Sequence, residues 1–184
     1  GRGGMQIYRL EPHPACPALG VTAVEARVTA HDANWLTLRW RIEAAHDLVL
    51  PGFAGKGRAD GLWQTTCFEL FLRPDGDTAY HEFNLSPSER WNAYRFSAPR
   101  DGMSEWPMPR DAVCTMRPGG KFAIFDAALP AAGLPQTACA MGISCVIEET
   151  GGHKSYWALA HGREAPDFHD PSCFTARLGA ASAP

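Results

Sequence analysis

The sequence predicts an all-β domain, a two-sheet antiparallel β-sandwich of jelly-roll or immunoglobulin-like type with about ten strands. Three observations carry this. Apolar and polar residues alternate in short stretches along the chain, as half-buried strands require. No window longer than about a dozen residues keeps a helical apolar period without meeting Pro or Gly. The chain has 15 Pro and 18 Gly in 184 residues, and they fall between the alternating stretches, where turns are needed.

Taken in order, residues 21–29 form a strand with Val24, Ala26 and Val28 inward. In 35–43, Leu36, Leu38, Trp40 and Ile42 share one side and Thr37, Arg39, Arg41 and Glu43 the other. In 67–73, Phe68, Leu70 and Leu72 oppose Cys67, Glu69, Phe71 and Arg73. Residues 78–85 and 91–96 pair around the polar turn 86–90, and 113–117 and 121–129 pair around Pro118-Gly119-Gly120. Strands at 138–148, 155–161 and 175–178 follow. Long loops at 48–62, with Lys56 and Arg58, and at 99–111, with Met103, Trp106 and Met108, are places where sites tend to form.

Length allows one domain, set at residues 5–178. Residues 1–4, ahead of Met5, read as a tag or upstream remnant and 179–184 as a flexible tail. A net charge of −3 gives no case for nucleic acid or an anionic membrane, and no apolar run reaches the length of a span. With no secretory signal in view, the expected location is cytoplasmic, and the six cysteines, none in CxxC spacing, are expected as reduced, buried thiols. Asp75-Gly76-Asp77 is the one local cluster to weigh for calcium, against a plain hairpin turn.

The stretch 60–96 is chemically unusual. One face is expected to carry Glu69, Arg73, Tyr80, Glu82, Asn84, Trp91 and Arg95. Solvated strand faces favour Lys, Thr and Ser; aromatics mixed with carboxylates, an amide and a guanidinium are the lining of a polar ligand pocket. A buried ion-pair network holding the sheet, Glu69 or Glu82 with Arg95, is the structural alternative. Trp63, Trp91 and Trp106 are candidate stacking platforms, whereas Trp35, Trp40 and Trp157 sit in strand alternation and are expected in the core or on a sheet face.

Three segments carry a family resemblance. Leu62-Trp63-Gln64-Thr65-Thr66-Cys67-Phe68-Glu69-Leu70-Phe71-Leu72 looks like a strand in which a Trp precedes "D/C-x-E-x-F-L". Tyr80-His81-Glu82-Phe83-Asn84-Leu85-Ser86-Pro87 resembles "Y-x-E-F-x-x-x-P", and Pro166-Asp167-Phe168-His169-Asp170-Pro171 the closing segment "PDFH-x-P". In this order they resemble family 9 carbohydrate-binding modules and DOMON-like domains, most closely the free-standing bacterial DOMON-like proteins. The resemblance implies a ligand site on or beside one sheet, binding a small saccharide or similar polar ring compound. Carried over, Trp63 is the platform and Glu69, Glu82, Asn84 and Arg95 the polar contacts; the second platform has no aligned counterpart, and Trp91 and Trp106 are candidates by position in or after loops alone. Cys67 departs from the family, standing where many relatives have an acid.

Two other readings accompany this one. The redox branch of DOMON domains implies b-type haem, with Met103 or Met108 opposite His81, His161 or His169 as axial ligands; otherwise no cofactor is expected. In that comparison His169 is more simply a local pin for the closing segment. A hydrolase or lyase could divide acid and base roles between Glu69 and Glu82, near His81, if burial split their pKa values.

Overall fold

The computed structural model describes residues 6–181; the expected remnant at 1–4 and part of the expected tail lie outside them. Thirteen strands follow in chain order: β1 Tyr8–Pro12, β2 Ala23–His31, β3 Trp35–Glu43, β4 Gly57–Arg58, β5 Cys67–Pro74, β6 Tyr80–Leu85, β7 Arg90–Phe96, β8 Ser104–Glu105, β9 Val113–Arg117, β10 Phe122–Pro130, β11 Cys139–Glu149, β12 His153–Ala158 and β13 Ala176–Leu178. The only helical segments among the described residues are three single 3-10 turns, and none is long enough to cross a membrane.

The all-β expectation holds, but the architecture is a curled mixed sheet, a half-barrel. Eleven strands form one hydrogen-bonded path, β4-β7-β6-β5-β11-β12-β1-β2-β3-β10-β9, with β13 on β11 and β8 on β7. Every pairing is antiparallel except β4 with β7. The expected division into separate sheets is bridged by β1, a strand the alternation did not reveal. Its Tyr8, Arg9 and Leu10 pair with β2, and its Glu11 and Pro12 pair with β12.

Curling brings the inner faces of the two halves together. Trp40 of β3 lies 5.4 Å from Phe68 of β5, and Phe68 stacks on Phe125 of β10 at 4.1 Å between ring centroids. All three are fully buried, and truncating one such ring typically costs about 3–5 kcal/mol. Trp157 joins this core, whereas Trp35 is half-buried beneath the Arg110 guanidinium.

Loops are tied down by buried polar groups. Glu149, at the end of β11 and itself buried, accepts the backbone N–H groups of Leu19, Gly20 and Val21 at 2.8–2.9 Å, and so satisfies its own oxygens as well as the buried Val21 amide. All six cysteines are free thiols, five of them buried. Asp75-Gly76-Asp77 is a hairpin turn: Gly76 has φ 80°, Asp77 N–H donates to the Pro74 carbonyl, and Asp75 pairs with Arg177. Among the described residues no three His, Cys, Asp or Glu side chains gather as a metal would require.

Candidate functional site

The register of β5, β6, β7 and β11 decides which side chains share a face. Phe68, Leu70, Leu72, Phe83, Leu85, Trp91 and Ala93 point into the core. On the outer side, Asn92, Asn84, Glu69 and Ser144 are directly paired neighbours across four strands, forming one polar rung. The next rung is Tyr94, Glu82, Phe71 and Gly142, and beyond it lie Phe96, Tyr80 and Arg73.

Glu69, Glu82 and Asn84 therefore lie together as expected, but Trp91 and Arg95 do not join them. Trp91 pairs with Leu85, and Arg95 with His81, on the opposite face. The turn at 86–90 holds Glu89 at φ 74°, and the strand begins at Arg90, so successive side chains from 91 onward have the parity opposite to the one expected. Trp91 is buried, donates its Nε1–H to Asp111, and is capped by the Arg58 guanidinium at 4.5 Å. It is a core residue and not a platform. Trp106 is also unsuited to that role: half-buried, it donates to the Gly133 carbonyl and meets His81 edge-on. Trp63 is different. It sits in the 3-10 turn Leu62–Gln64, just before β5, and is 54% exposed.

The closing segment lies across the outer face. His169 places Nε2 2.7 Å from Glu82 Oε2, while Nδ1 lies 2.7 Å from the Tyr80 hydroxyl. Its ring packs on Phe71 and Phe96. The local pin expected for His169 is thus a long-range one, with only its backbone N–H bonded locally, to Asp167. Phe174 follows onto Gly142, where a Cβ would come within 2.6 Å of the Phe174 ring. Arg100 completes the network: its backbone N–H donates to Tyr80 Oη, and its side chain pairs with Asp167 at 3.0 Å.

The polar rung, between the closing segment and the start of β5, is buried but incompletely satisfied. Asn84 donates to Glu82 at 3.1 Å, yet Asn84 Oδ1 and Ser144 Oγ have no partner among the described residues. Buried polar atoms without partners are uncommon and costly in native proteins. Burial pushes the Glu69 carboxyl well above its usual range, the neighbouring Glu82 raises it further, and Arg100 opposes them. A neutral carboxyl can both donate and accept, as can a serine hydroxyl, while Asn84 Oδ1 accepts. This set suits hydroxyl groups, which also do both.

Ser144 and Arg100 were not among the sequence candidates. The signal for Ser144 was present: Ala140, Gly142 and Ser144 alternate with Met141, Ile143 and Cys145, so the first half of β11 carries only small residues on its outer side. Arg58 and Asp60 were likewise missed as partners of this face. Arg58 donates to Asn92, and Asp60 accepts from Asn92 and Tyr94.

The haem-ligand candidates come from separate elements and loops of the fold. Met103 is exposed, and Met108 packs beside Gly133. His161 bonds the Glu11 carbonyl, His169 is engaged as described, and His81 points to the inner side against Trp106. His81 is therefore on the opposite face from the two carboxylates with which the enzyme reading grouped it.

No family model matches the sequence, and no curated protein matches it. Solved structures do. A protein from Bacteroides uniformis, provisionally assigned as carbohydrate-binding, superposes with TM-score 0.65 at 18% identity, covering 95% of this chain and 86% of its own. A family 9 carbohydrate-binding module from Caldicellulosiruptor kristjanssonii in complex with glucose gives 0.52 at 13% identity, covering 94% and 83%. The fold is family 9-like. The same module with cellotriose gives 0.53 at 13% identity, covering 94% and 82%, so the likeness spans almost the whole family 9-like chain.

Proposed function

We propose that this chain binds a small saccharide on the outer face of β5, β6 and β11, with DOMON-like kinship as its motifs imply. The facing halves of the half-barrel then serve as the two layers of a sandwich. The carrying observation is the pair of buried atoms without a partner among the described residues, Asn84 Oδ1 and Ser144 Oγ, on the strands either side of Glu69, with the exposed Trp63 in the turn just before β5. Trp63 supplies a π face for the apolar side of a sugar ring, and the rung supplies fixed partners for its hydroxyls. The glucose and cellotriose complexes of a module with this fold support the choice of ligand class. Free thiols are in keeping with a cytoplasmic location.

The test is calorimetric titration of the chain with glucose and cellotriose, repeated with Trp63→Ala and Ser144→Val. Binding that weakens at least about tenfold in each variant supports the assignment. Undiminished binding in both, or no heat with a wider set of mono- and disaccharides, removes it.

A further inference from the structure

On the other half of the sheet, the outer face of β2, β3, β10 and β9 is rich in arginine. Register places Arg9, Glu25, Arg41, Ile124 and Arg117 in one row and Arg27, Arg39, Asp126 and Thr115 in the next. A groove of about 420 Å³ runs over them, its lining including Ile7, Ile124, Arg27 and Arg39. We propose that this groove is a binding site for a small organic carboxylate, independent of the saccharide site.

The charges on this face do not balance. Five arginines share this face with three carboxylates, in a chain whose net charge is −3. Asp126 is shared: it takes the Arg39 Nε and Nη2 donors at 2.7 and 3.0 Å and also Arg117 at 3.2 Å. Glu43 is taken by Arg41, which lies over the Phe122 ring, and Glu25 is loosely held by Arg9 at 3.9 Å. Arg27 has no carboxylate within ion-pair distance among the described residues, although it stands directly opposite Arg39. Like charges in directly paired positions are destabilising, and Asp126 offsets only the Arg39 side of this pair.

The missing counter-charge defines the ligand. The free guanidinium of Arg27 and the remaining Nη1 of Arg39 present planar donor forks suited to a carboxylate. Glu25 and Glu43 also line the groove and would repel a dianion, which disfavours phosphate monoesters and favours a single negative charge. Ile7, 54% exposed, and Ile124 offer an apolar wall for the frame that carries the acid. That frame can be an aliphatic chain or the ring of a uronic acid; the carboxylate is the shared chemistry.

The experiment is amide NMR of the full chain titrated with glucuronate and, separately, hexanoate, for the unaltered protein, Arg27→Gln, Arg27→Lys and Trp63→Ala. Expected are shifts confined to β2, β3 and β10, affinity reduced at least about tenfold in both Arg27 variants, and no change in Trp63→Ala. Arg27→Lys keeps the charge but loses the fork, so it also guards against a folding defect in Arg27→Gln. Binding by hexanoate alone assigns an aliphatic frame, and binding by glucuronate alone assigns a sugar frame. Shifts confined to β5 and β6, undiminished affinity in both Arg27 variants, or no binding of either acid overturns the proposal while leaving the saccharide reading to its own test.

Discussion

Glu69 occupies a position where a charged carboxylate is costly, with Glu82 across the adjacent strand pair and little solvent around it. Its folded pKa lies above the unfolded value. Its contribution to stability is therefore intact below the ordinary carboxylate range and is lost as pH rises toward the folded pKa. Glu69→Gln is expected to gain in melting temperature, relative to the unaltered chain, as pH is raised from about 5 to 8, followed by thermal melts across that range. His81 has the opposite sign. Burial lowers it from 6.5 to about 4, so its share of stability is full above 6.5 and is lost as acid approaches 4. Replacing it with Leu should flatten the acid limb by at most about 3 kcal/mol, measured by denaturant unfolding at pH 4 and 7. None of this was legible from residue type alone. Glu69 and Glu82 stood out as carboxylates on one face, but the cover over Glu82 comes from His169, which lies far along the chain.

At the scale of elements, the strand periods were legible because period-two alternation is a local property. Residues 35–43 and 113–117 match β3 and β9 residue for residue, and the face assignment of β5 held. The errors came where a turn resets parity: Trp91 and Arg95 were placed on the wrong face because one residue of slip moves every side chain to the other side. Strands β1, β4 and β8 escaped notice because they are short and are specified by their partners. The contact between β11 and the closing segment depends on a missing side chain. Gly142→Val should force Phe174 off the sheet and destabilise the fold by about 1–3 kcal/mol, read as a lower urea midpoint. Glu149→Gln should cost a similar 1–3 kcal/mol by weakening the acceptor for three loop amides, and the two losses should add if the sites are independent.

For the molecule as a whole, the all-β class and a family 9-like fold were accessible from pattern and motif order, while the joining of the halves was not. The Trp40, Phe68 and Phe125 cluster draws on both halves, so unfolding should be a single event. Phe68→Ala should lower stability by about 3–5 kcal/mol with fluorescence and far-UV transitions still coincident. Separation of those transitions would show that the halves unfold independently.

β1 gives this assembly a history. Its first residues are matched by β2, only a short way along the chain, but Glu11 and Pro12 wait for β12. During synthesis the early hairpins can close while that seam stays open, and it can be fastened only when β12, about 145 residues further along, has emerged. A ribosome-bound chain stopped before residue 153 would therefore present the far end of β1 as a bare edge, a natural handle for a chaperone and a point of risk for neighbouring nascent chains.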